Sequence, residues 1–155
     1  MSEIVIRPAQ TSEAQFLTAL CVRSKAHWGY GDAFMRLSRA SLTVSDADIA
    51  SGRTLVAADD DRIVGVARVE PDGELGMMFV DPPAMGRGAG RGLFAAAAAL
   101  ARRLGVRSMP ILADPNAAPF YERMGARFVS HAPSDAIPGR TLPLYEYDFT
   151  GKETP

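Results

Sequence analysis

Four alternate glycines occupy one short stretch of the chain: Gly86, Gly88, Gly90 and Gly92. The stretch follows an apolar, strand-like segment at 74–80 and precedes a run rich in alanine and leucine that is typical of a helix. Glycine lets the backbone approach a ligand closely and adopt positive φ, and the start of a helix presents unpaired N–H groups and a partial positive charge. The spacing therefore predicts a strand, loop and helix that clamp a phosphate group.

The order of residues in this loop excludes the two commonest nucleotide loops. A dinucleotide loop needs Gly-x-Gly-x-x-Gly, and counted from Gly86 its last position falls on Arg91. A triphosphate loop needs a lysine and a hydroxyl residue after its last glycine. The chain has two lysines, Lys25 and Lys152, and neither lies near the loop.

The run Arg87-x-x-Gly90-x-Gly92 resembles the Arg/Gln-x-x-Gly-x-Gly/Ala signature of the GNAT-type N-acetyltransferases. The resemblance extends upstream over 75–82 and downstream over 116–125, in the order that the family has. It identifies the chain as similar to small bacterial single-domain members of this superfamily. It implies acetyl-CoA as co-substrate, with its pyrophosphate held by the loop.

Composition limits the remaining classes of function. A chain of 155 residues predicts one domain, at 1–150, with a tail at 151–155. With 17 basic and 18 acidic residues the net charge is −1, which favours neither a nucleic-acid nor a membrane partner. The single cysteine, Cys21, excludes an intramolecular disulfide, and no metal site is predicted. The start of the chain lacks a basic and apolar leader, so we expect a cytoplasmic protein.

Hydrophobic periodicity predicts the order β-α-α-β-β-β-α-β-α-β-β. We expect a first helix with Phe16, Leu17, Leu20 and Cys21 on its apolar face and Ser12 as its cap. A further short turn begins at Ser45. The fold class is α/β (α+β), with a mixed, mostly antiparallel central sheet of about seven strands flanked by about four helices. This order is similar to that of the GNAT fold.

Acetyl transfer to an amine needs a base, because a lysine-like amine with a pKa of about 10.4 is almost fully protonated at neutral pH. Glu74 is the candidate, placed at the start of the strand before the loop on the face of Gly76, Met78 and Val80. A similar carboxylate occurs in the histone acetyltransferase branch of the family. The alternative is a solvated carboxylate beside the turn at 71–73.

The departing thiolate needs a proton donor, and Tyr121 matches the tyrosine of the family motif. Its alternative role is core packing beside Phe120. The resemblance also implies cofactor contacts from the main chain of Met78, Phe79 and Val80 and from Asn116, which we expect to cap its helix. The predicted cofactor loop comprises Arg87, Gly88, Ala89, Gly90, Arg91 and Gly92.

Acceptor choice is expected where the family flanks its acetyl group, here at 25–30 and 138–143. Rings in the first segment could line an acceptor pocket or anchor a helix turn in the core. A loop arginine in the second could bind an acceptor carboxylate or phosphate, or lie free on the surface. The candidate substrate-binding residues are His27, Trp28, Tyr30 and Arg140.

The sequence thus predicts an N-acetyltransferase that moves acetyl from acetyl-CoA directly to a primary amine of a small molecule or a protein. Cys21 offers no covalent route, because it lies inside a helix without a nearby histidine in the sequence. The alternative is a non-catalytic CoA-binding regulator with the same fold. Resemblance also suggests a homodimer. One departure from the family pattern is Ala126, where an aromatic residue is usual.

Overall fold

The computed structural model describes residues 3–149, so the tail predicted at 151–155 lies outside it. Within these residues the chain forms seven strands and five α-helices, with single 3₁₀ turns at Thr11–Glu13 and Pro82–Ala84. The strands are β1 (Ile4–Pro8), β2 (Thr54–Asp59), β3 (Arg62–Val69), β4 (Leu75–Val80), β5 (Ser108–Leu112), β6 (Arg127–Pro133) and β7 (Thr141–Asp148). The helices are α1 (Ala14–Ala26), α2 (Asp32–Leu42), α3 (Asp46–Ala50), α4 (Ala89–Arg103) and α5 (Ala118–Arg123).

The predicted mixed α/β architecture with seven strands is confirmed, and the strands divide into two sheets. The first has the order β1-β2-β3-β4 and the second the order β5-β7-β6, with antiparallel pairing throughout. Strands β4 and β5 are therefore the facing edges of two sheets, close enough for Cα atoms to come within 8 Å without sharing a ladder. The division leaves a gap between them.

Helices cover both faces of the first sheet. Leu93 and Ala97 of α4 are fully buried in a core that includes Leu55, Ala67 and residues of the second sheet. Leu17, Leu20 and Cys21 of α1 are fully buried on the other face, against Val56 and Val66. Successive side chains of β2 and β3 point to opposite faces of the sheet, so each strand contributes to both cores, as expected for strands with two covered faces.

Two local predictions about the first helices are wrong and one is confirmed. Phe16 is 47% exposed and lies near the guanidinium of Arg23 rather than in the core. Ser12 does not cap α1, because a 3₁₀ turn capped at Gln10 precedes the helix. Ser45 does cap α3, where its hydroxyl accepts from the Asp48 amide at 3.1 Å. Among residues 3–149 no helix is both long and apolar enough to cross a membrane.

Candidate active site

A cavity of about 620 Å³ opens between the two sheets, where β4 and β5 separate. Its walls come from α1, α2, β4, the glycine loop, β5, α5 and the loop that joins β6 to β7. It brings together eleven of the predicted site residues: Trp28, Glu74, Met78, Phe79, Val80, Gly88, Gly90, Arg91, Asn116, Tyr121 and Arg140.

The edge of β4 directs backbone donors into this gap. Asp81 N donates to Val64 O at 2.8 Å across to β3. Because N–H groups alternate in direction along a strand, those of Met78 and Val80 point away from β3, toward β5. These two N–H groups are directed at the gap, whereas the N–H group of Phe79 pairs with β3.

A β-bulge near the start of β4 changes the position predicted for Glu74. Arg68 pairs with Met77 and Val69 with Leu75, which leaves Gly76 as an extra residue. The alternation reverses there, so Leu75, and not Glu74, shares a core cluster with Met78 and Val80. The prediction that Glu74 shares a face with these residues is therefore wrong, but Glu74 still lines the cavity from the residue just before β4.

The carboxyl group of Glu74 lies in a setting suited to a base. Burial raises its pKa, the negative charges of Asp72, Glu70 and Asp135 raise it further, and Arg68 opposes the change. A tight turn fixes its backbone: Glu74 N donates to an Asp72 carboxylate oxygen at 3.0 Å, and Glu74 O accepts from Glu70 N at 2.8 Å. A carboxylate with a raised pKa accepts a proton more readily near neutral pH than an ordinary one.

The glycine loop brings backbone, rather than side chains, to the cavity. Gly86 and Gly88 have φ of +82° and +95°, a region that L-residues with side chains rarely adopt, and Gly88 is the N-cap of α4. Nothing lies within 4 Å of where a Cβ of either residue would be. The first N–H groups of the fifteen-residue helix α4 have no partner within the helix, and Gly88, Gly90 and Arg91 place this end of the helix at the cavity.

The other predicted loop residues differ in position. Arg91 lines the cavity, whereas Arg87 is largely exposed beside the loop, with Nη1 3.9 Å from an oxygen of Asp59. Ala89 is buried. A Cβ on Gly92 would lie 3.2 Å from Ile6 Cδ1, so this glycine permits α4 to pack closely on β1.

Tyr121 reaches the cavity from α5 and is 5% exposed. Its ring packs against Phe94 and Phe120, at centroid distances of 6.1 and 5.4 Å. Burial raises the pKa of its hydroxyl above the usual range, and the nearby carboxylate of Asp114 adds to the shift. Tyr121 therefore keeps its proton at neutral pH.

Five residues form a polar cluster at the cavity, which we call the Asp114 cluster: Lys25, Tyr30, Asp114, Asn116 and Arg140. All of them except Tyr30 line the cavity. Asp114 Oδ2 accepts from Lys25 Nζ at 2.7 Å and from the Tyr30 hydroxyl at 2.8 Å. Arg140 Nη2 donates to the Tyr30 oxygen at 3.0 Å. Burial raises the pKa of Asp114, but hydrogen bonds from Lys25, the Asn116 amide and Tyr30, together with the charge of Lys25, outweigh burial and lower it.

The sequence prediction for Asn116 as a helix cap is wrong. The N-cap of α5 is Ala117, and the first helical amides bond to the carbonyl of Asp114. The Asn116 side-chain amide instead donates to Asp114 Oδ1 at 3.0 Å and to the Tyr30 oxygen at 3.1 Å. Asn116 thus joins the segment before α5 to the segment before α2.

The sequence did not predict three residues of this region as site residues. They are Asp114 and Lys25 of the cluster, and Phe34, whose ring stacks on Tyr30 with centroids 4.0 Å apart. The segment after β5 carries no motif apart from Asn116, so the sequence offers no signal for Asp114. Trp28 lines the cavity while 44% exposed, and His27 touches its ring edge-on without lining the cavity.

The sequence matches the profile of a known protein family. Residues 34–135, more than half of the chain, match the family profile described as Acetyltransferase (GNAT) domain. The chain belongs to the GNAT acetyltransferase family. The domain limits predicted at 1–150 extend beyond the match on both sides and stay a prediction.

Solved structures agree with this GNAT assignment. A GCN5-related N-acetyltransferase from Rhodopseudomonas palustris is 26% identical, with a TM-score of 0.79 over 96% of this chain and 97% of that one. PaiA N-acetyltransferase from Thermoplasma acidophilum, in complex with coenzyme A, is 14% identical, with a TM-score of 0.76 over 94% and 99%. YncA from Salmonella typhimurium, with its cofactor acetyl-CoA, is 21% identical, with a TM-score of 0.69 over 99% and 98%. The last two show the fold alone, and a search of curated proteins found no match.

Proposed function

We propose that this GNAT protein transfers acetyl from acetyl-CoA directly to a primary amine of a small molecule or a protein. The observation that carries the proposal is the convergence on one cavity of backbone donors, a carboxylate with a raised pKa and a protonated tyrosine. Such a set serves the three needs of the reaction: a bound acyl oxygen, an amine without its proton and a protonated leaving thiol.

The cofactor is proposed to lie across the gap between β4 and β5. Its pyrophosphate would meet the N–H groups of the glycine loop and the charge of Arg91, which lines the cavity there. Its thioester carbonyl would accept from the main chain of Met78 and Val80 at the open edge of β4. Relatives with coenzyme A or acetyl-CoA bound support this ligand.

In the proposed reaction Glu74 takes the proton of the amine, directly or through water. The amine nitrogen then bonds to the thioester carbon, and the C–S bond breaks as the tetrahedral intermediate collapses. Tyr121 donates its proton to the sulfur that leaves, and the second proton that the nitrogen loses as the amide forms passes to solvent, which returns a proton to Tyr121. Burial raises the pKa of Cys21 to about 12, so its thiol is not ionised and no acyl-enzyme is proposed.

The test is CoA release from acetyl-CoA with a panel of amino acids, polyamines, aminoglycosides and peptides. We expect turnover with one class, and a fall of about a hundredfold or more in kcat for Glu74→Gln, since an essential base contributes that much. Asp61→Asn, which removes an acidic residue from an exposed turn outside the cavity, is the control. Acetyl-CoA binding without turnover on any acceptor would favour the CoA-binding regulator. The homodimer stays a prediction.

A further inference from the structure

The Asp114 cluster carries more positive charge than its internal contacts use. Lys25 and Arg140 contribute two positive charges and Asp114 one negative charge, which leaves one surplus positive charge. Tyr30 stays neutral, because burial and the Asp114 carboxylate raise its pKa. Only 14% of the Lys25 side chain and 21% of the Arg140 side chain are exposed to solvent. Because a buried charge needs a partner, the surplus positive charge favours an anion in the cavity.

Both cations are held in fixed positions. Tyr30 and Phe34 stack within 8° of parallel, and Lys25 Nζ lies 5.2 and 5.7 Å from their ring centroids. Arg140 Cζ lies 5.3 and 4.9 Å from the same rings. Cation–π contacts of this kind hold a charge in place without consuming its N–H groups.

Spare donors remain on each cation. Among the contacts within residues 3–149, Lys25 gives one of its three N–H groups to Asp114 and Arg140 one of its five to Tyr30. Both residues line the cavity, together with Glu74. An anion in the cavity can therefore be bound without breaking the cluster.

The loop that carries Arg140 also brings a negative charge toward the proposed base. Asp135 lines the same cavity, and its charge acts on Glu74. The loop is closed by a hydrogen bond from Ser134 N to Arg140 O at 2.8 Å, and the Ser134 hydroxyl accepts from two of its amides. One compact loop thus presents an anion and a cation to the cavity, a pattern complementary to a ligand with both charges.

We propose that the acceptor is a small amine that also carries a carboxylate, with its nitrogen at Glu74 and its carboxylate on Lys25 and Arg140. The proposal rests on the acetyltransferase function proposed above and names its acceptor class. A carboxylate matches the one surplus charge, whereas a phosphate near neutral pH carries more. A cavity of about 620 Å³ that must also hold the acyl end of the cofactor suits a small acceptor.

The test compares L-amino acids with the same amino acids as C-terminal amides, and with O-phosphoethanolamine as the phosphate arm. For the preferred amino acid we expect kcat/KM to exceed that of its amide by about tenfold or more, as for a lost charge-assisted hydrogen bond. Arg140→Gln should abolish this preference by raising KM for the acid more than KM for the amide. Arg140→Lys should retain part of it, and the exposed Arg103→Gln is the control.

Equal rates on acid and amide in the wild type would overturn the proposal, as would preference for the phosphate. An Arg140→Gln variant that slows both acceptors equally would also overturn it. If no amine releases CoA, the proposed function fails, and the acceptor class is decided by calorimetry on the CoA-loaded protein. Tighter binding of the acid than of the amide then supports it, and equal binding overturns it.

Discussion

The glycine-loop wall and the Asp114 cluster line the same cavity but are made of different parts of the protein. The glycine-loop wall uses backbone N–H groups from consecutive residues of one strand, loop and helix. The Asp114 cluster joins side chains from separate segments, and its hydrogen bonds between segments span 84 to 110 positions, as for Tyr30 with Asp114 and Arg140 with Tyr30. A backbone site needs only local geometry, so it can serve an unchanging ligand, whereas a side-chain site can vary with each acceptor.

This difference decides what the sequence could predict. The glycine spacing and the helix behind it are local patterns, and they led to the fold and to the loop at 86–92. Lys25 and Asp114 meet only because α1 and the segment after β5 converge across the gap between the sheets. Local sequence patterns do not predict such a long-range contact. Asp114 was therefore missed, and Asn116 was wrongly predicted as a helix cap.

Glu74 shows the limit of strand periodicity. Strict alternation along 74–80 puts it on the face of Met78, but the bulge at Gly76 shifts the register. The side chain of Glu70 packs against Gly76, and a Cβ there would be 2.8 Å from Glu70 Cδ. A bulge of this kind depends on the partner strand β3 and is therefore invisible in the sequence of β4 alone.

Tyr121→Phe is expected to give the largest effect on kcat among the variants below. We expect kcat to fall about tenfold to a hundredfold, because the leaving thiolate loses its proton donor. The KM for acetyl-CoA should not change, since the ring keeps its packing against Phe94 and Phe120. Steady-state kinetics with the best acceptor measures both values. If the fall in kcat is accompanied by a lower melting temperature, the role of Tyr121 is core packing.

Asp114→Asn tests whether the cluster is separable from the glycine-loop wall. Removing the shared acceptor of Lys25 and Tyr30 should lower the free energy of unfolding by about 1–3 kcal/mol, because two largely buried donors lose a charged partner. Denaturant titration measures it, with the exposed Asp61→Asn as the control. Acetyl-CoA affinity should be retained, and its loss together with stability would show that the two walls are one cooperative unit.

Asp135→Asn should give a smaller effect, on the pH dependence of the reaction. Activity is expected to rise with pH as Glu74 loses its proton, at a pKa that burial and neighbouring carboxylates raise. Removing the charge of Asp135 lowers that pKa, so the acidic limb of kcat/KM should move to lower pH. If the acidic limb of kcat/KM does not move, and the limb set by the amine of the acceptor also stays in place, another group is the base.

The smallest expected effect concerns stability. Because the pKa of Glu74 is higher in the folded chain than in the unfolded one, its protonation favours folding. That contribution is complete below the unfolded pKa and is lost as pH rises through the folded value. Glu74→Gln should therefore melt slightly higher than the wild type at neutral pH and no higher at pH 4. Thermal denaturation at the two pH values measures this, and a lower melting temperature at neutral pH would contradict it.

Calorimetric titration of acetyl-CoA into the wild type and two glycine variants measures whether the backbone of the glycine loop binds this cofactor. Gly88→Val and Gly105→Val place a side chain at nearly the same φ, +95° and +92°, each with open space around the Cβ. Both variants carry backbone strain of about 1–3 kcal/mol. Gly88 lines the cavity at the start of α4, whereas Gly105 lies just beyond the other end of this helix. We predict one-to-one binding to the wild type and to Gly105→Val, weakened about tenfold or more in Gly88→Val. No binding to the wild type, or equal binding to all three, would contradict the account.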